Sequence, residues 1–520
     1  MLIYLQQRLQ QVKDSPVAKT LESLQCGIEK EGLRVDLSGR VSHQDHPKSL
    51  GSSLTHGSIT TDYSEALLEY ITPVFQSPAA ALDFMQELHS FSASKLAHIG
   101  EYIWPASMPC YLDGEADIRI ANFGSSNTGK LKHTYRVGLA WRYGKIMQSI
   151  AGLHFNFSPQ DNFWPAYQKL LSDEQSLCDF KSEQYFGLIR NFRRHSWVLL
   201  YLFGASPALD ASFVKGRDVD LEQGPGGCLV GPYATSLRMS DLGYNNKVQS
   251  VLSLCFNDLD KYCKSLEHAI STPLTQYEKL GVKVDGEYRQ LNANLLQIEN
   301  EYYSDIRPKR VARPGQKPVH ALKESGVEYV EVRNIDLNPF LPLGIDAQQS
   351  QFINAFLTWC LFSQSPVISD QECEVIGINQ AIVVRQGRNP DLKLQTCGGE
   401  KNLQALGLDM MTNLRLVADV MPEKEQVLAA IEVMETRLKD SSLTPSAQVL
   451  AAMEQGGLSH QELSLALAQK HQAYHLQQSL GLGRRHELNE QASESIANQG
   501  RIETEQTEPF DDFLAAYLAQ

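Results

Sequence analysis

Residues 27–35 read Gly-Ile-Glu-Lys-Glu-Gly-Leu-Arg-Val, and this stretch gives the clearest indication of the fold. Its alternation of polar and apolar residues is typical of a β-strand. Because strand side chains repeat every two residues, Glu29 and Glu31 are predicted to share a face, about 7 Å apart. Carboxylates this close repel each other unless cations lie between them, so the spacing suits two hard metal ions or one ion bridging to a phosphate. A solvated strand face is the alternative, since most carboxylates are simply exposed to water.

A second strand-like stretch, residues 152–158, alternates more sharply. Its leucine and phenylalanines fall on one face, and His154, Asn156 and Ser158 fall on the other. A lone histidine is usually structural, whereas a histidine and an asparagine on the same polar face form a functional site about as often as they are structural. His154 is then a candidate metal ligand, and Asn156 is a candidate contact to a polar substrate group.

A third stretch, residues 327–335, places Glu331 and Arg333 on a common face. The two side chains can simply pair with each other. The functional alternative is that Glu331 holds a metal ion while Arg333 reaches a phosphoryl oxygen with two hydrogen bonds. Phosphoryl transfer needs this combination of cations on the phosphate oxygens and fixed donors for the charge that develops in the transition state.

Two further acidic residues, Asp62 and Glu69, lie between the first two stretches. Glu69 is flanked by Leu68 and Tyr70, where an unpaired charge would be costly. A helix would bring the two carboxylates onto one face, and a loop followed by a strand would also bring them together. The spacing alone leaves both arrangements open.

Several aromatic and basic residues in polar surroundings are ordinary when taken singly. Together they would supply an arginine for an amino-acid carboxylate and tyrosine hydroxyls for its orientation. The GxxxxGK[ST], GxSxG and HExxH motifs are absent, so nucleotide binding would rest on metal ions and carboxylates. The residues in question are Tyr135, Arg136, Arg238, Tyr244 and Tyr303.

The composition of the 520 residues indicates a globular protein, since 42% are hydrophobic and 21% are charged. The net charge of −14 argues against nucleic-acid binding, which needs clustered lysine and arginine.

Nine cysteines without a CxxC pair predict buried, reduced thiols and a cytoplasmic location. The N-terminus lacks the features of a signal peptide. The longest apolar run, Trp197–Ala205, is far shorter than the ~20 residues that cross a bilayer, so no membrane partner is expected.

Strand-like and helical stretches mix from Cys26 to Phe340, whereas helical spacing dominates after about residue 348. The strands do not alternate regularly with helices, so the pattern predicts an α+β fold with an antiparallel-rich core. Residues 290–303 are also predicted to be strand-like. The polar stretch 489–508 is expected to be exposed and partly mobile, and residues 511–518 are expected to dock back onto the body.

The residue sequences and the order of six motifs resemble those of the proteobacterial type of glutamate–cysteine ligase, also called γ-glutamylcysteine synthetase. The resemblance is close over residues 26–340 and looser through the helical third. The motifs are Gly27–Val35, Ile59–Glu69, Ser125–Lys130, Tyr233–Tyr244, Leu296–Tyr303 and Val327–Arg333.

This resemblance implies a glutamine-synthetase-like fold, in which a curved, mainly antiparallel sheet forms a funnel that ATP and the amino acids enter from opposite ends. The implied reaction joins the glutamate γ-carboxylate to the cysteine α-amine through a γ-glutamyl phosphate. It gives γ-glutamylcysteine, ADP and phosphate, the first step of glutathione biosynthesis. We expect residues 1–345 to form the catalytic core with the ATP, metal and amino-acid sites. Residues 346–520 are expected to form a mainly helical region that packs on this core and does not fold independently.

The resemblance also implies roles for individual residues. Arg333 would approach the transferred phosphoryl group, and Mg²⁺, or alternatively Mn²⁺, would be the metal. The implied metal ligands are Glu29, Glu31, Asp62, Glu69, His154 and Glu331. Glutamate would contact Asn156, Arg238 and the backbone near Ile150. The implied cysteine pocket contains Tyr63, Tyr135, Leu139, Gln148, Tyr244 and Tyr303.

One residue departs from the family pattern. Tyr63 stands where close relatives are expected to have phenylalanine, and the added hydroxyl would alter selectivity for cysteine over similar small amino acids. The expected partners are glutamate, cysteine and ATP, and the chain is expected to act as a monomer or weak oligomer.

Three alternatives remain at this point. The first is an ATP-dependent carboxylate–amine ligase of the same fold with a different amine acceptor. The second is a catalytically idle relative, which should have a broken carboxylate set, whereas all five acidic positions are intact here. The third is a helical interaction scaffold, which would leave the strand motifs unexplained.

Overall fold

The computed structural model describes residues 2–243, 254–313 and 315–520. Short strands and longer helices alternate irregularly along the chain. The strands, in chain order, are β1 (Leu24–Asp36), β2 (Ile59–Thr61), β3 (Leu67–Ile71), β4 (Glu101–Ile103), β5 (Leu153–Pro159), β6 (Ala208–Leu209), β7 (Glu222–Gln223), β8 (Leu229–Val230), β9 (Lys283–Val284), β10 (Glu287–Tyr288), β11 (Ile306–Lys309), β12 (Tyr329–Ile335), β13 (Lys393–Thr396) and β14 (Gly399–Asn402).

Helices supply most of the regular structure, and many begin with a serine, aspartate or asparagine whose side chain accepts a hydrogen bond from the first turn. In chain order they are α1 (Leu2–Lys13), α2 (Val17–Thr20), α3 (Pro78–His98), α4 (Asn127–Tyr143), α5 (Phe163–Leu171), α6 (Leu177–His195), α7 (Trp197–Phe203), α8 (Leu259–Ser271), α9 (Thr275–Leu280), α10 (Pro318–Ser325), α11 (Ala347–Phe362), α12 (Asp370–Gln386), α13 (Leu403–Ala418), α14 (Lys424–Lys439), α15 (Pro445–Gly456), α16 (His460–Gln477), α17 (Leu482–Glu505) and α18 (Phe510–Ala519).

The main sheet positions the candidate site. Among the described residues it has seven strands, in the order β11-β12-β5-β1-β3-β2, with β4 paired to the end of β1. Every pairing in it is antiparallel. β1 is 13 residues long and pairs with β3, β4 and β5, so it is the strand around which the others are arranged. The antiparallel-rich α+β arrangement agrees with the sequence prediction.

One face of this sheet is apolar and packs against helices. Ile28, Phe155 and Val332 lie opposite one another on β1, β5 and β12, and each is fully buried. α3, α6 and α7 cover this face, and α11 packs against α6 behind them. Burial of such side chains stabilises the fold by roughly 25 cal/mol per Å² of apolar surface removed from water. The opposite face of the same strands is consequently left for polar side chains.

Helices from both ends of the chain share this core. α11 is buried from Gln349 to its end at Phe362, and α13 and α14 pack against it. The N-terminal α1 contributes Leu5, Leu9 and Val12 and contacts α11 and α13. The division into residues 1–345 and 346–520 stays a prediction, although this packing fits its expectation that the helical region does not stand apart.

Three local expectations need correction. Residues 290–303 form loops and a short 3₁₀ helix at Glu299–Glu301, because their polar groups bond to one another and not to a sheet. The stretch 489–508 lies mostly in α17 and is largely exposed, as expected, except that Ala492 and Ser495 are buried; its mobility stays a prediction. All nine cysteines are free, but Cys178 and Cys397 are exposed, so burial was predicted wrongly for these two.

One other expectation agrees with the structure. Residues 511–518 lie in α18, which docks on the body through the buried Leu514. In residues 2–243, 254–313 and 315–520, no helix is both long enough and apolar enough to cross a membrane.

Candidate active site

The register of the sheet gathers acidic side chains on its polar face. Glu29 on β1 lies opposite His154 on β5, and Glu31 lies opposite Glu69 on β3. Glu331 on β12 lies opposite Asn156 on β5. Directly opposite residues of antiparallel strands point to the same face. Four strands that are distant in sequence therefore present their polar side chains to one surface.

Glu29, His154 and Glu331 form the tightest group on this face. His154 Nδ1 lies 3.1 Å from Glu29 Oε2 and 4.0 Å from Glu331 Oε1. One donor atom from each residue falls within 4.8 Å of the other two. His154 and Glu331 are almost completely buried, and Glu29 is partly exposed. An imidazole and two carboxylates at this separation are suitable ligands for a divalent cation.

Glu31, Asp62 and Glu69 form a second acidic group beside the first. Glu31 Oε1 lies 3.9 Å from His154 Nε2, and its Oε2 accepts a 2.6 Å hydrogen bond from the Gly152 N–H. Asp62 follows β2 directly, and Glu69 lies within β3, so a turn and a strand bring the two acids together. This settles the question that the spacing of these two residues left open.

The surroundings shift the pKa values of these acids in different directions. Burial raises the pKa of Glu69 well above its ordinary value, and repulsion from Glu29, Asp62 and Glu31 raises it further. Burial also raises the pKa of Glu31. For Glu331, burial is outweighed by attraction to Lys309 and Arg333, so its pKa lies well below the ordinary value. The face therefore combines a firmly ionised carboxylate with others that need a cation to hold their charge.

Glu29 resembles Glu331 in this respect. Burial raises its pKa and Glu331 repels it, but its hydrogen bond and attraction to His154 outweigh both, so its pKa is lowered.

Arg333 lies beside this acidic group. Its Nη1 is 3.1 Å from Glu331 Oε2 and 3.5 Å from His154 Nδ1. Burial lowers its pKa, but the nearby carboxylate of Glu331 raises it more, so the guanidinium is always charged. Its Nε is a buried donor without a hydrogen-bond partner among the residues that the structure describes. Arg333 is therefore a fixed cation with a donor to spare.

A cavity opens next to Arg333. It contains both acidic and aromatic side chains, and helix α4 forms one of its walls. The residues around it are Glu31, Asp62, Tyr63, Tyr135, Arg136, Leu139, Tyr143, Met147, Gln148, Asn300, Glu301, Tyr303, Arg307 and Arg333.

Comparisons with known proteins identify the family. The profile of the glutamate-cysteine ligase family matches residues 9–383. A glutamate–cysteine ligase from Pseudomonas aeruginosa is 49% identical over 496 residues, which cover 95% of this chain and 94% of that protein. The chain belongs to the glutamate–cysteine ligase family. The enzyme of that name from Hahella chejuensis is 48% identical over 507 residues, or 96% of each chain.

Solved structures agree with this membership. A glutamate–cysteine ligase from Francisella tularensis in complex with AMP has a TM-score of 0.90 at 35% identity and covers 96% of this chain and 98% of its own. A bifunctional glutathione synthetase from Pasteurella multocida has a TM-score of 0.72 at 27% identity. That match covers 90% of this chain but only 54% of the bifunctional protein. The expected family and fold class are confirmed.

The residues proposed for cysteine binding in this family member mostly lie together. Tyr63, Tyr135, Leu139, Gln148 and Tyr303 all line the cavity beside Arg333. Tyr244, the remaining one, lies outside the described residues. The Tyr63 hydroxyl is buried and has no hydrogen-bond partner in the described part of the chain. Its effect on selectivity stays a prediction.

The residues proposed for glutamate binding lie close to the acidic groups. Asn156 Nδ2 donates a 2.9 Å hydrogen bond to Glu29 Oε1. Arg238 is buried, donates a 3.0 Å hydrogen bond to the Arg333 carbonyl, and lies 3.6 Å from Asp336 Oδ1. Ile150 is buried in the turn that leads to β5. The roles of these residues as glutamate contacts stay predictions.

The sequence reasoning missed several charged residues around the glutamate–cysteine ligase site. Lys309 Nζ lies 3.2 Å from Glu331 Oε1, and Arg307 lies opposite Glu331 in the sheet. Asp336, also missed, pairs with Arg238. Arg136, which the sequence had already indicated, donates a hydrogen bond from Nε to the Asp62 carbonyl. The alternation of Arg307 and Lys309 around Pro308 was an available signal, because proline is tolerated in edge strands such as β11.

Proposed function

We propose that this family member performs its reaction on the polar face of the main sheet. Glutamate–cysteine ligases form γ-glutamylcysteine from glutamate, cysteine and ATP, the first step of glutathione synthesis. The observation that carries the proposal is the gathering of Glu29, His154 and Glu331 within 4.8 Å of one another, beside Arg333 and the cavity. Cations and fixed donors around one point are what phosphoryl transfer to a carboxylate requires.

The acidic groups fit a divalent metal. Glu29, His154 and Glu331 would hold one ion, and Glu31, Asp62 and Glu69 would hold another. Mg²⁺ prefers oxygen ligands, whereas Mn²⁺ accepts imidazole readily, so either metal suits this set. A bound Mg²⁺ or Mn²⁺ neutralises the phosphate oxygens of ATP and reduces their repulsion of the glutamate carboxylate. The raised pKa of Glu69 supports the fit, because a buried acid crowded by other acids is stabilised in its charged form by a cation.

The chain's own side chains then act in two chemical steps. In the first, the glutamate γ-carboxylate attacks the terminal phosphorus of ATP, and ADP leaves. The guanidinium of Arg333, with its buried Nε donor, stabilises the charge on the transferred phosphoryl oxygens. In the second step, the cysteine amine attacks the carbonyl carbon of the γ-glutamyl phosphate and loses a proton. The bond between that carbon and the phosphate oxygen breaks, and phosphate leaves with its electron pair.

The cavity holds cysteine during the second step. Tyr135, Leu139 and Tyr303 line a partly enclosed cavity that suits a small side chain. Enclosure also limits the access of water, which would otherwise hydrolyse the acyl phosphate. The nearest competing function is ligation of glutamate to another small amine, since the phosphoryl-transfer residues would be the same.

The test is the release of ADP by the purified chain with glutamate, Mg²⁺ and a series of amines. We expect cysteine to give the highest kcat/KM and Glu331→Gln to raise the Mg²⁺ concentration needed for half-maximal rate. Glu435→Gln, which removes a surface carboxylate paired with Lys439, is the matched control. A preference for another amine would replace cysteine as the acceptor, and an unchanged Mg²⁺ requirement in Glu331→Gln would exclude this metal ligand.

We further propose that the chain works in the cytoplasm as a monomer or weak oligomer, without nucleic-acid or membrane partners. The net charge of −14 and the nine unpaired cysteines support this proposal. Sedimentation at micromolar concentration tests the oligomeric state.

A further inference from the structure

The start of helix α4 is bonded by residues from the other end of the chain. Ser126 caps the helix, and its Oγ accepts a 3.1 Å hydrogen bond from the Gly129 N–H. Glu503 Oε1 accepts a 2.8 Å bond from the Ser125 N–H, and Gln506 Oε1 accepts one from the Asn127 N–H. The first N–H groups of a helix have no partner within it, and a carboxylate near them is favoured by the helix dipole.

Other contacts fix the segment that supplies these acceptors. We call residues 495–520 the C-terminal strap. Its first part is held by Ser52, whose N–H donates to Ser495 Oγ at 2.9 Å and whose Oγ donates to Gln499 Oε1 at 2.5 Å. Its last part, α18, is held by Asp511, which accepts from Lys283 Nζ at 2.9 Å. The strap is therefore fixed on both sides of its contact with α4.

A second bond to Asp511 and one near the C-terminus strengthen this attachment. The Tyr288 hydroxyl donates to Asp511 Oδ1 at 2.7 Å, and Lys317 Nζ donates to the Leu518 carbonyl at 3.0 Å. Asn127 Nδ2 also donates to the Glu508 carbonyl at 3.0 Å, between the two fixed parts. A displacement of the start of α4 would therefore have to break its bonds to the strap or detach the strap from these contacts.

Helix α4 in turn carries one wall of the cavity. Tyr135, Arg136 and Leu139 project from it into the cavity lining, and Arg136 donates to the Asp62 carbonyl. Arg142, near its end, forms a buried ion pair with Glu301 at 2.9 Å. The helix is therefore held at its end by a buried charge pair and at its start by the strap. A shift of its first turns would move the pocket wall relative to the acidic groups on the sheet.

We propose that Glu503 and Gln506 are positioning residues for the amino-acid pocket: by anchoring the start of α4, the C-terminal strap sets the affinity for cysteine. This inference rests on the proposed use of the cavity as the cysteine site. The strap touches neither the acidic groups nor Arg333 through any contact described above. α4 reaches them through Arg136, which bonds to the backbone carbonyl of Asp62 and not to its carboxylate, so we expect the main effect on binding of the acceptor.

The test is the double variant Glu503→Ala/Gln506→Ala in the full chain. We expect the KM for cysteine to rise about tenfold, with kcat and the KM for ATP within about twofold of the wild type. Amide hydrogen exchange of residues 125–129 in the substrate-free protein should become faster. The matched control is Glu505→Ala/Thr507→Ala, which removes exposed neighbours on the same segment. Glu503→Gln keeps an acceptor oxygen and should restore most of the cysteine affinity.

The outcomes separate the possible explanations. An unchanged KM for cysteine would overturn the positioning role. A fall in kcat and a rise in the KM for ATP as large as the rise in the KM for cysteine would also overturn it. The same change in the control pair would also overturn it. If the double variant fails to fold, Gln506→Ala alone is measured against the same criteria. Failure of the proposed function would look different, because the wild type itself would then show no cysteine-dependent ADP release, while the change in exchange would persist.

Discussion

Two glutamates on the same sheet face, Glu69 and Glu331, have pKa values shifted in opposite directions. Glu331 is paired with Lys309 and Arg333, whereas Glu69 is buried among other acids. The same side chain therefore holds a permanent negative charge at one position and resists ionisation at the other. Glu331 is therefore ionised before any cation binds, whereas Glu69 gains its charge most readily when a cation lies beside it, so the role of each acid in the metal site depends on its surroundings.

Arg333→Ala should remove the fixed cation at the phosphoryl-transfer point while leaving the fold intact. We expect kcat to fall by at least about a hundredfold, because donors aimed at developing charge typically contribute two to three orders of magnitude. Arg333→Lys should recover little, since an ammonium cannot replace the planar set of donors. Steady-state ADP release gives the rates, and near-normal activity in Arg333→Ala would disprove the assignment. Arg385→Ala, which breaks a surface pair with Asp241, is the control.

Tyr63→Phe should stabilise the protein. The Tyr63 hydroxyl is buried without a partner among the described residues, and such a group costs about 1 kcal/mol or more. We expect the free energy of unfolding in urea to rise by about 1 kcal/mol. Because the oxygen has almost no exposed surface, we expect, in contrast to the altered selectivity predicted from the sequence, that the preference for cysteine over serine stays within about twofold. A larger change in this preference would show that the hydroxyl reaches the acceptor, and a loss of stability would show that it has a partner.

The turn into β5 depends on a residue without a side chain. Gly152 donates its N–H to Glu31 and its carbonyl accepts the Glu31 N–H at 3.0 Å. A Cβ at this position would lie 2.0 Å from Arg238 Nη2. The glycine thus lets Arg238 lie directly against the strand that carries His154. Because Gly152 has no side chain, Glu31, His154 and Arg238 can lie next to one another.

Gly152→Ala should consequently displace Arg238 and disturb the bond to Glu31. We expect the KM for glutamate to rise about tenfold or more, with the far-UV circular dichroism unchanged. Gly377→Ala is the control, since a Cβ there meets nothing within 4 Å. Equal effects of both substitutions, or no effect of Gly152→Ala on the KM for glutamate, would contradict the role of this close approach.

Strands could be predicted where polar and apolar residues alternate. They were harder to predict where hydrogen bonds between distant parts of the chain determine the local conformation. β1, β5 and β12 were expected from their alternation, with β12 starting at Tyr329, later than predicted. The strand prediction for residues 290–303 was wrong because Asn292 and Gln297 bond to nearby backbone groups, which the alternation does not reveal. Pairing is also invisible in one sequence: no local pattern indicates that Glu331 lies opposite Asn156. The acids were singled out by local patterns, and the resemblance supported their role as metal ligands, but Lys309 and Asp336 became candidates only once the register was known.

Buried histidines should make the whole molecule sensitive to acid. Burial lowers the pKa of His195, His460 and His471 to about 4, against about 6.5 in the unfolded chain. The unfolded chain therefore binds protons below pH 6.5 that the folded chain does not, so stability is lost as the pH falls from 6.5 toward 4. Each such histidine costs up to about 1.4 kcal/mol per pH unit in this range.

Urea unfolding at pH 7.5, 6 and 5 measures this dependence. We expect the midpoint to fall steadily below pH 6.5, and His460→Gln to reduce the slope by about one bound proton. His486→Gln, at an exposed position, should leave the slope unchanged. A midpoint that is constant between pH 7.5 and 5 would mean that these imidazoles are not buried in their neutral form.

The position of β12 in the sheet has a consequence for synthesis. β5 lies between β1 and β12, and β12 is completed only by residue 335. Until the ribosome has released that residue, β5 offers an open edge to any other nascent chain, and such edges promote aggregation. Chains that stop before residue 335 should therefore precipitate or be degraded and show no partial turnover.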